Sequence, residues 1–300
     1  MPTLSIVLFV FSVAVAVACA AQTAEQPAQI LVTPQWVAER LGDPKLVVLH
    51  VASVRDDHIR EHIAGARYLW PTWFAVSTPS AVYELPPVDS LTAALRRLGV
   101  SNESEIVLYH VLGDVASTAR MYVTLDYLGM GDRTRILDGG LPAWKAAGYP
   151  VTKDIASYAP GNFTPHLDKD AIVHFDTMRS RYRSEGTQVI DARGPKEYNA
   201  PDGPTVVRGG HIPGALNIPF TSLLDSLDRY QPLDTLAARF AKAGVKPGSQ
   251  LIAYCNSGRT ASPVYVAAKL LGYNVRLYDG SFFEWSRRED VPVEITKPKK

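Results

Sequence analysis

The sequence repeats itself in order, and this repeat restricts the fold more than any other feature. The motif HIAGA at 62–66 returns as HIPGA at 211–215. Later in each copy an Asp-Gly pair precedes a tryptophan, and these two tryptophans, Trp144 and Trp285, are 141 residues apart. Solenoid and propeller repeats have periods of about 20 to 50 residues, so this longer period indicates two copies of one domain.

Short apolar strands alternate with amphipathic helices within each copy. The run at 46–51 has the length of a buried strand, and the pattern at 86–98 predicts a helix. Strands that alternate with helices form a parallel sheet with helices on both faces, which is an α/β fold. The predicted domains lie at 30–152 and 170–296, with a weakly patterned linker at 153–169.

Composition and motifs exclude several classes of protein. The net charge of +1 gives no electrostatic reason to bind nucleic acid. A content of 46% hydrophobic and 20% charged residues is typical of a globular chain. The sequence has no HExxH, paired CxxC, GxGxxG or P-loop motif, and its seven histidines are scattered. Nothing therefore predicts a metal ion or an organic cofactor.

The first 22 residues are predicted to be an export signal. Residues 4–18 form an uncharged apolar run that is followed by small residues, as in a secretory signal, and the run is too short to span a bilayer comfortably. We expect cleavage and export to the periplasm or beyond; the alternative is a lipid anchor at Cys19. Either event leaves Cys255 as the one free thiol, so no internal disulfide is expected.

The segment that carries the predicted chemistry is 251–271, LIAYCNSGRTASPVYVAAKLL. It begins as an apolar strand, continues as the polar loop 255–259 and has helical spacing from Thr260 onward. The N–H groups of such a loop and the dipole of the following helix favour a thiolate at Cys255, and Arg259 adds a cation. A buried structural cysteine is the alternative, which is disfavoured because Cys255 follows the apolar run.

The first copy of the repeat lacks both reactive groups. When the two copies are aligned, His110 stands at the position of Cys255 and Asp114 at the position of Arg259. The first copy is therefore predicted to be catalytically silent and to build one wall of the site.

These motifs resemble those of tandem-domain rhodanese-type sulfurtransferases. The resemblance extends over 31–294 and rests on DAR at 191–193, the loop at 255–260 and YDGSFFEW at 278–285. It implies a doubly wound α/β fold in each half, with only the C-terminal half catalytic. It also implies a persulfide intermediate on Cys255, an anion that the N–H groups of the loop can hold.

The resemblance implies that Cys255 takes the outer sulfur of thiosulfate, releases sulfite and passes the sulfur to cyanide or a thiol. Thiosulfate is the preferred donor because the chain is expected to be exported. The alternatives are 3-mercaptopyruvate as donor, with Arg193 as the candidate for its carboxylate, and a non-enzymatic sulfur carrier or binding module. The predicted catalytic residues are Cys255 and Arg259, and the predicted donor-binding residues are Asn256, Ser257, Gly258, Thr260, Asp191 and Arg193.

Several roles remain open at the level of sequence. Asp191 accepts hydrogen bonds from the loop, orients Arg193 or is a structural residue of a turn. Arg193 either binds substrate or pairs with Glu197. Asp279 either supports the loop or caps a helix. A phosphatase of the cysteine-loop type needs Cys-x5-Arg, and Ala261 occupies the position of that arginine, so this function is disfavoured.

Overall fold

The computed structural model describes residues 29–79, 81–201 and 207–295. The predicted export signal at 1–22, with Cys19, lies outside these described residues. No helix within the described ranges is both long and apolar enough to cross a membrane.

The first half of the chain folds around a five-stranded parallel sheet. The strands of this half are β1 (Leu31–Val32), β2 (Leu46–Val51), β3 (Arg67–Leu69), β4 (Val76–Thr78), β5 (Ala81–Glu84), β6 (Glu105–His110) and β7 (Thr134–Leu137). The sheet has the order β1-β7-β6-β2-β3, and β4 and β5 form a separate antiparallel hairpin. The predicted strand at 46–51 is confirmed as β2.

Five helices accompany this sheet. They are α1 (Pro34–Ala38), α2 (Arg55–Arg60), α3 (Val88–Arg97), α4 (Val115–Tyr127) and α5 (Gly140–Ala146). The first begins where the Thr33 side chain accepts a hydrogen bond from the Trp36 N–H, as expected of an N-cap threonine. The predicted helix at 86–98 is confirmed as α3, two residues shorter at its start and one at its end.

The second half repeats the architecture. Its strands are β8 (Ile172–Val173), β9 (Thr187–Asp191), β10 (Leu216–Asn217), β11 (Gln250–Tyr254) and β12 (Val275–Tyr278). Its helices are α6 (Phe175–Arg181), α7 (Pro195–Tyr198), α8 (Leu233–Ala243), α9 (Ser262–Leu270) and α10 (Ser281–Trp285). The sheet order β10-β9-β11-β12-β8 places each strand as its counterpart lies in the first half, which confirms the predicted α/β duplication.

One apolar core joins the two halves. Alternate residues of a strand face opposite sides of its sheet. In β11, Leu251 and Ala253 face a buried cluster that also contains residues of the first sheet, whereas Ile252 and Tyr254 face a second cluster. Helices α4 and α9 lie in the shared cluster and pack against each other. The two sheets therefore bury their inner faces against common helices.

Polar contacts between the halves are also reciprocal. The Leu85 N–H donates to Asp279 Oδ2 (3.0 Å), and the Tyr230 N–H donates to Asp138 Oδ1 (3.0 Å). Asp138 and Asp279 each follow the last strand before the final helix of their own half. Each half thus places part of its backbone against the equivalent aspartate of the other.

Candidate active site

Cys255 directly follows β11, and the alternation of the strand fixes the direction of its side chain. Leu251 and Ala253 face the shared core, and Cys255 is the next residue on that side. Its N–H donates to Ser281 Oγ (3.2 Å), and its carbonyl accepts from the Phe282 N–H (2.9 Å). These bonds fasten the backbone of Cys255 to the start of α10, with the side chain in the core between the halves.

The loop after Cys255 has unpaired backbone donors. Gly258 has φ +78°, a conformation that glycine adopts without the strain of a side chain. The Asn256 carbonyl accepts from the Phe283 N–H (2.9 Å), which fixes the start of the loop. None of the five N–H groups at 256–260 donates to a protein atom of the described residues. Unpaired N–H groups ahead of a helix such as α9 are available to bind an anion.

The thiol itself is buried. Cys255 is 1% exposed, whereas Asn256, Ser257, Arg259 and Thr260 are each partly exposed. The expectation from sequence that this cysteine lies outside the core is therefore wrong, because strand alternation directs it between the two halves. The unpaired donors nevertheless distinguish the site from that of a structural cysteine, which needs no such groups around it.

Arg259 is a cation without a carboxylate partner among the described residues. Its guanidinium carbon lies 5.9 Å from the centre of the Tyr83 ring, which β5 of the first half contributes. Tyr83 has φ +63°, a conformation that is uncommon for a bulky residue. Because no ion pair within the described ranges neutralises Arg259, its charge remains available to a substrate anion.

Asp191 and Arg193 form a buried ion pair on the opposite side of the sheet. Arg193 Nη2 lies 2.6 Å from Asp191 Oδ2, and Arg193 Nε lies 3.0 Å from Oδ1. Arg193 Nη2 also donates to the Gly210 carbonyl (2.8 Å), and the guanidinium stacks 4.1 Å from the centre of the Phe282 ring. Phe282 belongs to the second cluster, the one that Ile252 and Tyr254 of β11 face. The sheet therefore separates this ion pair from the side that Cys255 faces.

Arg193 therefore does not pair with Glu197, which was one of the two alternatives. The Glu197 carboxylate accepts from Asn256 Nδ2 (2.8 Å) and from the Gly194 N–H (3.4 Å). This contact holds the side chain of Asn256 away from a free role in donor binding. Asp191 orients Arg193, as the other alternative proposed, but neither residue is brought to the loop.

Asp279 joins the loop to the first half of the chain. Besides the bond from Leu85, its Oδ1 forms an ion pair with Arg120 of α4, and both side chains are buried. Glu84 lies next to this group, where burial and the carboxylates of Asp279 and Glu284 raise its pKa to about 7. Asp279 lies beside the loop, since its Oδ1 is 3.7 Å from the point that a Cβ on Gly258 would occupy, and its support of the loop stays a prediction.

Comparison with known proteins agrees with this geometry. The family model described as the rhodanese-like domain matches residues 33–147 and again residues 175–288. The chain belongs to the rhodanese family.

Individual relatives match along nearly the whole chain. A probable 3-mercaptopyruvate sulfurtransferase of Pseudomonas aeruginosa is 34% identical over 88% of this chain and 97% of its own length. A thiosulfate sulfurtransferase of Azotobacter vinelandii is 29% identical over 89% of this chain and 97% of its own. The crystal structure of SseA from Escherichia coli, which has the rhodanese fold, superposes with a TM-score of 0.77 at 28% identity and covers 84% of this chain and 98% of its own.

In the first rhodanese domain, groups of the corresponding loop are bonded to other parts of the protein. His110 is buried at the position of the cysteine, and burial lowers its pKa to about 4. Asp114 accepts from the Ser53 N–H (2.9 Å) and hydroxyl (2.8 Å). The Gly113 N–H donates to Asp228 Oδ2 (2.5 Å) of the second domain. A protein carboxylate therefore takes one donor of this loop, whereas the corresponding donors of the second domain are unpaired.

Sequence reasoning missed the contribution of Arg120, Tyr83 and Leu85 from the first rhodanese domain. One signal was present: Arg120 is the single basic residue of α4, a helix that is buried along almost its entire length. A lone cation in such a helix requires a buried partner, and that partner is Asp279 of the other domain.

Five cavities found in the described residues are lined without Cys255 or residues 256–260. A cavity of about 1000 Å³ is lined by the first rhodanese domain and the segment after it, including Trp70, Trp73 and Tyr158, and by no residue of the second domain. In the part of the chain that the structure describes, no group of three His, Cys, Asp or Glu side chains is placed to hold a metal ion. The loop after β11 therefore remains the candidate site.

Proposed function

We propose that this chain is a sulfurtransferase that takes sulfane sulfur from thiosulfate and passes it to cyanide or a thiol. The observation that carries this proposal is the set of five unpaired N–H groups at 256–260, next to a cysteine and an unpaired arginine. The family and the curated relatives support the reaction class. Thiosulfate, sulfite and a persulfide are all anions, and this loop is suited to hold anions.

The reaction proceeds in two balanced steps. The thiolate of Cys255 attacks the outer sulfur of thiosulfate; a new S–S bond forms, the S–S bond of thiosulfate breaks, and sulfite leaves with the electron pair. Cyanide then attacks the outer sulfur of the persulfide, forming thiocyanate and returning the thiolate. Covalent catalysis of this kind divides one transfer into two easier ones. Every step keeps one negative charge on sulfur near the loop donors and Arg259.

The burial of Cys255 limits the access of a donor and excludes water from the reacting sulfur. The protein around the sulfur has to open before a donor reaches it, because Cys255 is 1% exposed. Once the donor is bound, exclusion of water strengthens each interaction with the sulfur anion and protects the persulfide from other thiols.

3-Mercaptopyruvate is the second candidate donor. Relatives described as 3-mercaptopyruvate sulfurtransferases reach 34% and 31% identity, which favours this alternative. Here the C–S bond breaks, the carbon takes the proton of the thiol, and pyruvate leaves. Arg193, the arginine predicted for the carboxylate of this donor, is committed to Asp191 and Gly210, so another cation would have to bind that carboxylate. The proposed preference for thiosulfate rests on the proposed export of the chain.

Steady-state formation of thiocyanate tests the proposal. The purified protein is assayed with cyanide and either thiosulfate or 3-mercaptopyruvate, with Cys255→Ser as the control. We expect a higher kcat/KM with thiosulfate and no turnover by Cys255→Ser. A higher kcat/KM with 3-mercaptopyruvate would replace the preferred donor. Persulfide formation without turnover would indicate a sulfur carrier instead of an enzyme.

We also propose that the protein is exported. The support is the uncharged run at 4–18 and the small residues that follow it. N-terminal sequencing of the protein from fractionated cells should find the mature chain outside the cytoplasm with its first residues removed. A lipid on Cys19 would indicate a membrane anchor, and an intact N-terminus in the cytoplasm would refute export.

A further inference from the structure

Arg120 of the silent domain is a buried cation with unused donors. Its side chain is 1% exposed, and its Nη2 pairs with Asp279 and donates to the Tyr83 carbonyl (3.3 Å). Its Nε and Nη1 are also buried, yet they donate to no protein atom of the described residues. Buried donors in folded proteins almost always have partners, so two unpaired groups on one guanidinium indicate a ligand.

The position of these donors identifies the site they belong to. Arg120 Nη1 lies 3.1 Å from the point that a Cβ on Gly258 would occupy. The guanidinium is therefore in contact distance of the loop whose N–H groups are unpaired. Tyr83 lies near both cations. Its carbonyl accepts from Arg120, and the centre of its ring lies 5.9 Å from the guanidinium carbon of Arg259.

We propose that Arg120 binds the oxyanion end of the sulfur donor, so that the silent domain supplies part of the donor site. This inference rests on the proposed function. Arg259 supplies a positive charge with no carboxylate partner among the described residues, and Arg120, whose charge Asp279 balances, supplies two free N–H donors. The chemistry recognised is a sulfonate or carboxylate group, since an oxygen of either accepts a charge-assisted hydrogen bond from Nη1 or from Nε.

The same contact assists the first chemical step. When the S–S bond of thiosulfate breaks, the electron pair leaves with sulfite, and the charge on its oxygens increases. A guanidinium fixed by Asp279 stabilises that charge without having to reorganise. The acceptor step involves only the persulfide and cyanide, neither of which has an oxyanion group, so Arg120 has no role there.

Kinetics with donors of different charge test this assignment. The Arg120→Met variant is assayed with thiosulfate, with 3-mercaptopyruvate and with 2-hydroxyethyl persulfide, a donor that has no oxyanion. Asp126→Asn is the matched control, because Asp126 also lies on α4 and bonds across the domains to Tyr265 (2.6 Å) and Lys269 (2.5 Å). In a two-step transfer, kcat/KM for the donor reports the first step and kcat/KM for cyanide the second.

We expect Arg120→Met to lower kcat/KM for thiosulfate about 10²-fold, mainly through KM. The changes in kcat/KM for 2-hydroxyethyl persulfide, which has no oxyanion group, and for cyanide should be less than about threefold. Asp126→Asn should keep the ratio between donors. A selective loss with 3-mercaptopyruvate instead would identify a carboxylate as the group bound. An equal loss with all donors, or the same pattern in Asp126→Asn, would overturn the proposal and leave a structural role.

Should Arg120→Met fail to fold, Arg120→Lys replaces it. Lysine keeps the charge beside Asp279 but lacks the two free donors Nε and Nη1, so a selective rise in KM for thiosulfate is again expected. Unchanged KM in Arg120→Lys would overturn the assignment. Failure of the proposed function has a separate signature, because the unmodified protein would then turn over none of the three donors.

Discussion

Substitution of Gly258 by alanine tests whether the geometry of the loop matters. Gly258 has φ +78°, a left-handed conformation that costs other residues about 1 to 2 kcal/mol. A Cβ there would lie 3.1 Å from Arg120 Nη1 and 3.1 Å from the Asp279 carbonyl oxygen. Neither neighbour yields easily, since one is backbone and the other is held in a buried ion pair. The loop itself therefore has to shift.

A shift of the loop affects activity more than stability. We expect Gly258→Ala to lower the free energy of unfolding by about 1 to 2 kcal/mol. Displacement of the N–H groups at 256–260 should lower kcat/KM for thiosulfate about 10- to 100-fold. Urea unfolding measures the first quantity, and thiocyanate formation per folded protein measures the second.

Gly272→Ala provides the matched control. Gly272 follows α9 with φ +76°, and nothing lies within 4 Å of the position of its added Cβ. It therefore carries the same backbone strain without a clash and without contact with the loop. Gly272→Ala should lose similar stability but keep its activity. Equal activity of the two variants, within about threefold, would refute the argument that the loop donors position the reacting sulfur.

Three further predictions concern residues on either side of the sheet. Arg259→Ala should lower kcat/KM for thiosulfate at least ~10²-fold, whereas His110→Ala should leave turnover nearly intact; a larger effect of His110→Ala would contradict a silent first domain. Asp191→Asn leaves Arg193 buried without its partner, so urea unfolding should show a loss of about 3 to 5 kcal/mol, with an unchanged KM for thiosulfate. The pKa of His110 is lowered to about 4 from 6.5, so unfolding takes up a proton as pH falls through this window, and stability decreases there. His110→Phe should remove up to about 3 kcal/mol of that decrease, and an unchanged pH profile of unfolding would contradict its burial as a neutral ring.

The duplicated architecture could be predicted because its signals are local. The repeated motifs and the alternation of strands and helices identify two α/β domains, and the polar loop after an apolar strand identifies Cys255. His110 and Asp114 likewise follow from alignment of the two copies. These features depend on short segments of sequence, which a single chain displays in full.

The contacts between domains could not be predicted in the same way. Arg120 and Asp279 are 159 residues apart, and their pairing depends on how two sheets share one core. The role of Arg193 was recoverable, however. Strand alternation directs Cys255 to the shared core, whereas Asp191 pairs in register with Tyr254, which faces the second cluster. Applying that alternation would have removed Arg193 from the donor site before the structure was known.

Mass spectrometry of the intact protein after treatment with thiosulfate tests the central claim most directly. We predict a gain of about 32 Da, located on Cys255 by peptide mapping, absent from Cys255→Ser and removed by cyanide. Alkylation after denaturation provides the control, because it shows that the thiol was reduced and present. An unmodified Cys255 in thiosulfate-treated protein with a reactive thiol after denaturation would contradict the account.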